Sequence, residues 1–576
     1  MYGFFGKLLW VDLTTQTYRE EVIPEEVIEA YLGGKGLGSY LLLKHVPAVT
    51  DPLGIENKLI FTTGPNSDST MLGVSRYGVY SKSPQTGVYA ESYSGGRVAP
   101  VMKRTGYDAI ILAGKANAPV YIEISDQGVS FRSAAHLWGL DTYSTEDKVL
   151  EEVGTKGAQA IVIGPAGENL VKFACLENNY WRSAGRTGLG AVMGSKQVKA
   201  LVFHGQTNCP VADPEGLKKF VQGFREKTQT NPGAKAYRDY GTPQMVALMN
   251  SNGVFPTRYW SKGVFEGWEK ISAEYLLDNL EVKPRSCTRC LFACGKLSTV
   301  KKGRHAGLTV EGPEYETIYA FGGLCCIDSM EEIVYLNDLC DRLGMDTISA
   351  GNLVALAMEA RERGQLADGP AYGDPEGAAK LLREIAARQG TGALFADGIV
   401  AASRVLGLEE LAIHVKGLEP PGYDPRLLKG MGLAYATSTR GACHLRATFY
   451  KPELAGMIDR ETVQGKAELF VEFENRLTIF DTQILCRFMR DLLPWEDLQE
   501  LIRCTTGRNY TLPELQKMAN SIVTLTREFN LREGCGRKQD TLPKRFFRET
   551  IGDPEKNLRP EELEFMVDEY YRIRGW

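Results

Sequence analysis

The sequence predicts an α+β protein, with a β-rich N-terminal domain followed by two mainly α-helical domains. Three observations predict it. Period-two alternation with glycine-rich turns runs through the first ~200 residues. Helical periodicity takes over after Asp213. The length, 576 residues, exceeds what one compact core holds at about 150 residues per domain. The expected domains are residues 1–210, 211–414 and 415–576.

The strand candidates come first. Lys7–Leu13 and Tyr18–Val22 flank a turn at Thr14–Thr17, and Lys58–Thr62, Tyr77–Ser81, Ala109–Ala113, Val120–Ile124, Ala160–Ile163 and Ala200–His204 follow. Glycine-rich joints separate them at Gly33-Gly34, Gly95-Gly96 and Gly185 to Gly194. The helix candidates are Pro214–Lys227, Met330–Leu343, Ala350–Arg363, Gly377–Gln389 and Leu394–Leu406, with a further helical region from Gln464 to the end. In Met330–Leu343, Ile333, Leu336, Leu339, Cys340 and Leu343 fall on one face. Glu419–Arg426, with three prolines, reads as a joint between units.

Composition narrows the function. The net charge of −5 gives no nucleic-acid footprint. No apolar run approaches the ~20 residues of a membrane span. The start of the chain reads as a strand rather than an export signal, so a cytoplasmic location is expected. Thiols stay reduced there, and the 12 cysteines need a reason other than disulfides. Most are scattered and read as small buried hydrophobes.

Three are not scattered. Cys287, Cys290 and Cys294 lie in one turn-rich loop at x2 and x3 spacing. Three thiolates so placed can converge on one metal centre. A [4Fe–4S] cube needs a fourth, and Cys486 in Asp481-Thr-Gln-Ile-Leu-Cys486 is the candidate. A structural zinc also takes four thiolates, and spacing leaves that open. The radical-SAM order is the reverse and does not apply.

Two loops suit a polyanion. Ser94, Gly95 and Gly96 precede a helix at Ala99–Thr105, and Arg182, Ser183, Gly185 and Arg186 precede one at Ala191–Ser195. Glycines let backbone N–H groups approach phosphate, and arginine clamps it. Neither loop fits a dinucleotide or P-loop pattern. Asp341 and Asp346, like Asp481, stand in D-x-x-x segments whose carboxylates can accept ring N–H groups. The alternative for Asp346 is a helix cap. Glu316 and Tyr315, in Glu311-Gly-Pro-Glu-Tyr-Glu316, and His444, in Arg440-Gly-Ala-Cys-His444-Leu-Arg446, are the proton-handling candidates.

Together these segments resemble the aldehyde:ferredoxin oxidoreductase family. The resemblance covers nearly the whole chain, through Pro84-x-Thr-Gly87, Ser94-Gly-Gly96, Gly164-Pro-Ala-Gly-Glu168, Gly190–Lys196, the cysteine loop, Glu311–Glu316, Asp346–Ser349, Tyr423-Asp-Pro425 and Asp540–Phe546. It implies an N-terminal β domain that cradles the cofactor, a tungsten or molybdenum bis-pterin, and one [4Fe–4S] cluster on Cys287, Cys290, Cys294 and Cys486. It implies that Arg76 links cluster and pterin, and that Gly95, Gly185, Arg186, Asp341, Asp346, Arg446 and Arg487 lie in pterin-contacting motifs. Glu316 and His444 would be the proton-handling pair. The implied reaction oxidises an aldehyde to its acid, with electrons leaving to ferredoxin or a partner iron–sulfur subunit, and an oligomer is expected. A reductase of aromatic acyl-CoA and a non-catalytic iron–sulfur or zinc scaffold are the alternatives.

Three departures stand out. The family's asparagine ligand to a magnesium joining the pterins is Tyr93, although the Ser183 carbonyl could still contribute. The glycine of the D-x-x-G-L-C motif is Ile484. The E-x-x-H motif for an inter-subunit iron reads Tyr335-Leu-Asn-Asp338, so that iron is not expected.

Overall fold

The computed structural model describes all 576 residues. Two six-stranded sheets form the N-terminal part. The first contains β1 (Lys7–Asp12), β2 (Thr17–Val22), β3 (Leu59–Thr62), β4 (Tyr77–Lys82), β5 (Tyr89–Ser94) and β6 (Ala109–Ala113), in the order β2-β1-β6-β3-β4-β5. The second contains β7 (Val120–Ser125), β8 (Gly128–Ser133), β9 (Gln159–Val162), β10 (Leu176–Asn178), β11 (Arg182–Ala184) and β12 (Val198–Phe203), in the order β11-β10-β9-β12-β7-β8. Only β1–β6 and β7–β12 pair in parallel.

Alternation explains the stacking. Leu9, Val11, Phe61, Val79, Ile110 and Leu112 point from the first sheet into a core shared with Ile122, Ile124, Ile161, Leu201 and Phe203 of the second. Their neighbours Leu8, Ile60, Tyr80 and Ile111 point the other way, onto a separate core with Leu477, Ile479, Ile522 and Phe529. Successive residues of a strand face opposite sides, so one sheet serves two cores. The second core brings the C-terminal helix Leu512–Arg532 onto the outer face of the N-terminal sheet, with helix Gly34–His45 between them. The Gly33-Gly34 joint is thus the start of a buried helix.

The remainder is mainly helical around a core of 78 buried residues that runs from Ala166 to Tyr570. Met330–Leu343 is a helix with the expected bounds. The next helix starts earlier than its apolar pattern, at Thr347, because Asp346 caps it. The expected helix Leu394–Leu406 is shorter, Ile399–Leu406, since Gly398 at φ 83° interrupts the chain before it. Strands β5, β8, β10 and β11 and a three-stranded sheet, β13 (Glu281–Arg285), β14 (Gly295–Thr299) and β15 (Thr309–Glu311), were not foreseen. The proline-rich segment 419–426 is buried along its whole length rather than an exposed connector. No helix is long and apolar enough to cross a membrane.

Candidate functional site

The cysteine loop is the tip of a hairpin. Strands β13 and β14 pair antiparallel with Arg285 opposite Gly295, so residues 286–294 form the connection. Cys486 arrives from elsewhere, just beyond the helix Lys466–Gln483. Gly73 ties the two segments: its N–H donates to the Arg289 carbonyl at 3.0 Å, and its carbonyl accepts from the Cys486 N–H at 2.9 Å. Burial, with the neighbouring Cys486 and Cys287, pushes the Cys290 thiol up to about 12. Cys294 is raised by burial too, with Cys486 and Cys290 among the charges that reach it. The four thiols therefore gather in one place. Gly95 and Gly96 lie against them: the Gly96 N–H donates to Cys287 Sγ at 3.2 Å. A β-carbon at Gly95 would stand 2.9 Å from the same sulfur.

The Ile484 departure is visible in the backbone. Ile484 ends its helix at φ 58°, a left-handed conformation that β-branched residues rarely adopt.

Beside the thiols lies a partly open cavity of about 340 Å³. Arg76, Ser183, Gly185, Arg186, Asp341, Asp346, Arg487, Tyr315, Glu316 and His444 all line it. Ser94, Gly95, Gly96, Arg182, Arg446 and Asp481 do not line it.

On one flank, the Asp346 carboxylate caps the helix Thr347–Glu362, accepting from Ile348 N at 3.3 Å and Ser349 N at 3.2 Å. It also meets Arg186 Nε at 3.3 Å. Arg186 further donates to the Ala442 and Glu419 carbonyls. Burial and then Asp338 hold the Asp341 carboxyl well above its usual range, with Asn337 donating to it at 2.6 Å.

On the other flank, Asp481 Oδ2 accepts from Arg446 at 3.1 Å and from Arg487 at 2.5 Å. Burial pulls Arg487 down to about 10. Arg182 bonds to Glu311. Burial opposes its charge, but Cys287, Glu311 and Cys294 more than offset that. Ser94 Oγ donates to Asn178 at 2.7 Å.

Glu316 and His444 meet in the cavity wall. Glu316 follows β15 on the short helix Tyr315–Ile318, and its Oε1 lies 3.5 Å from His444 Nε2. Burial pushes the Glu316 carboxyl up to about 8, against the Gly422 N–H that donates to it at 2.9 Å. Burial, then the charges of Arg186, Arg440, Arg446 and Arg490, push His444 well below the usual imidazole value. A protonated acid thus faces a neutral base, the pairing that separates proton donor from acceptor. Glu316 Oε1 and His444 Nδ1 have no other partner. Tyr315 reaches the cavity wall, but its hydroxyl donates to the Gly422 carbonyl.

Sequence reasoning missed several charged residues here. Glu91 on β5 is fully buried and binds Lys35 at 3.1 Å and Arg446. Tyr93, in the place of the expected asparagine, donates to Glu91 at 2.7 Å. Glu177 on β10 accepts from Ser183 Oγ at 2.6 Å. The one available signal was a glutamate inside each of two short strand runs.

Thiols beside a cavity lined by buried arginines and carboxylates fit an oxidoreductase, and comparison with known proteins agrees. Residues 8–205 match the N-terminal domain of aldehyde ferredoxin oxidoreductase and residues 219–576 match its domains 2 and 3. The tungsten-containing aldehyde ferredoxin oxidoreductases of Pyrococcus furiosus and Thermococcus kodakarensis are each 37% identical, over 100% of this chain and 97% of theirs. The P. furiosus WOR-like subunit of an aliphatic sulfonate oxidoreductase is 30% identical over 100% of this chain and 95% of its own. Among solved structures, the BamBC active-site complex of benzoyl-coenzyme A reductase with a dienoyl-CoA superposes with a TM-score of 0.86 at 25% identity, covering 100% of this chain and 95% of the other. The chain belongs to the aldehyde ferredoxin oxidoreductase family.

Proposed function

We propose that the protein is a cytoplasmic tungsten- or molybdenum-bis-pterin enzyme that oxidises an aldehyde to its carboxylic acid with water. Its electrons would leave singly through one [4Fe–4S] cluster on Cys287, Cys290, Cys294 and Cys486 to ferredoxin or a partner iron–sulfur subunit. The observation that carries this reading is the Glu316–His444 pair, 3.5 Å apart in the cavity wall.

The residues present fit such a cofactor. Arg446 Nε and Nη2, Arg487 Nη1, Arg440 Nε and Glu177 Oε1 are buried without partners around the cavity. Buried polar groups are rarely left unpaired, so these await phosphate oxygens and ring N–H groups. Arg186, Asp341, Asp346 and Ser183 would hold one pterin, and Arg446, Asp481 and Arg487 the other. When bound, the pterin-held metal supplies two-electron oxidation and the cluster a one-electron relay.

The protein's own contribution is proton handling and positioning. Protonated Glu316 donates to the carbonyl oxygen of the aldehyde. Neutral His444 accepts the proton of the attacking water. Arg182, between Glu311 and the thiols, holds the loop charge against the cavity.

The likeness to the benzoyl-CoA reductase complex supports a second reading, reduction of an aromatic acyl-CoA. One experiment separates the two. Anaerobically purified protein should contain about four iron atoms and one tungsten or molybdenum per chain, and should oxidise simple aldehydes but not turn over benzoyl-CoA. Turnover of benzoyl-CoA alone would select the second reading. Zinc alone, in fully loaded protein, would leave a scaffold.

A further inference from the structure

Arg490 is a charged residue of the cavity outside both cofactor flanks and the acid–base pair. Arg490 is 1% exposed and lines the cavity. Its Nη1 donates to the Arg487 carbonyl at 2.7 Å. Its Nε and Nη2 have no partner. Those two atoms form one edge of the guanidinium, the parallel N–H fork that matches the two oxygens of a carboxylate.

Arg490 meets the group expected to hold a pterin, Arg487, only through the backbone carbonyl. The ionisable side chains acting most on it are Tyr450, Asp491 and Tyr237, with the Tyr237 hydroxyl beside it. Asp491 Oδ1 is 3.7 Å from Arg490 Nε, beyond hydrogen-bond reach, and Asp491 Oδ2 already pairs with Lys451 at 2.7 Å. Aromatic rings make the adjoining wall: Tyr237 stacks on Phe488 at 4.3 Å and Tyr450 on Tyr423 at 4.1 Å. Tyr423 in turn lies 5.6 Å from the His444 ring. Beside it, the Lys451 and Asp491 side chains are 29% and 51% exposed. A guanidinium buried with half its donors free is costly unless a ligand completes it. The stacked pair Tyr450 and Tyr423 runs from this wall to His444, so a ligand held on Arg490 would lie towards the reacting end of the cavity.

We propose that Arg490 is a substrate-binding residue that takes the remote carboxylate of the substrate, so that the enzyme prefers aldehydes bearing an acid group at the far end of a short chain. The proposal rests on the aldehyde reading above and narrows its substrate class.

The test pairs butanal with succinate semialdehyde, and uses succinate as a non-reacting probe, on the holoenzyme and its Arg490→Gln and Arg490→Lys variants. The wild type should favour succinate semialdehyde in kcat/KM. Arg490→Gln should lower that preference by roughly 10- to 100-fold, mainly through KM, since a charged hydrogen-bonded contact is lost. Arg490→Lys, which keeps the charge without the fork, should fall between, and it also guards against a folding failure of the glutamine variant. Succinate binding measured by calorimetry should be lost in Arg490→Gln, with tungsten and pterin contents as in the wild type. Loss of the pterin on substitution would assign the guanidinium to the cofactor and overturn the proposal. So would unchanged succinate binding, or an equal loss on both aldehydes. If no aldehyde is oxidised yet succinate binding still depends on Arg490, the anion site stands and the aldehyde reading falls.

Discussion

Burial, joined at His444 by the surrounding arginines, gives Glu316 and His444 opposite ionisation. Each is destabilised in its charged form, which leaves the carboxyl protonated and the imidazole neutral at neutral pH. The carboxyl is raised to about 8, so its proton is lost as pH climbs through that value. With Glu316 as donor, kcat/KM for an aldehyde should fall above about pH 8. Glu316→Gln should remove that limb and lower the rate by about 100-fold or more, the usual scale for a lost general acid. A profile that instead rises through pH 8 would make Glu316 the base. The cysteines were legible in sequence because thiol spacing in one loop has few other uses. Glu316 and His444 entered as candidates on composition and resemblance, and their opposed ionisation became visible only in the folded cavity. Glu91, Glu177 and Arg490 were illegible, since one charged residue in a strand or short turn says nothing until its burial and missing partners are known.

Asp346 does two things at the scale of the element. It caps the helix Thr347–Glu362 and pairs with Arg186 in the cavity wall. The two can be separated. Asp346→Asn keeps a side-chain oxygen for the N–H groups but loses the charge. It should cost little stability while lowering pterin content. Asp346→Ala loses the cap as well and should cost about 1–2 kcal/mol more, read from urea midpoints of the cofactor-free proteins. Equal midpoints for the two variants would remove the cap from the account. Strands β1, β3, β4 and β6 of the first sheet were legible because they alternate between two cores, whereas β10 and β11, three residues each, are too short to carry a period. The helix Gly34–His45 was hidden by its three glycines after residue 33, which read as a joint until the sheet and the C-terminal helices close over it.

The segment 419–426 decides how the whole molecule holds together. Its three prolines read as a joint between units, and within it Asp424 and Arg426 are fully buried. Arg426 donates to both oxygens of Asp424, at 2.9 and 2.6 Å, and to the carbonyls of Trp260 and Glu549 at 2.6 and 3.1 Å. Its own carbonyl accepts from Leu558 N at 2.7 Å. One side chain thus joins three stretches of chain well apart in sequence, inside the core that runs from Ala166 to Tyr570. Fully enclosed, this ion pair has no water to replace a lost partner. Arg426→Leu should therefore destabilise by about 3–5 kcal/mol, because Asp424 would remain buried and uncompensated. The double variant Asp424→Leu with Arg426→Leu should recover much of that loss, since the unpaired charge goes too. Urea denaturation followed by tryptophan fluorescence would measure both. A single shifted transition would show that residues on either side of 415 unfold together. Two transitions, with only one displaced by Arg426→Leu, would instead make residues 415–576 an independently stable unit, and the buried pair a contact within it.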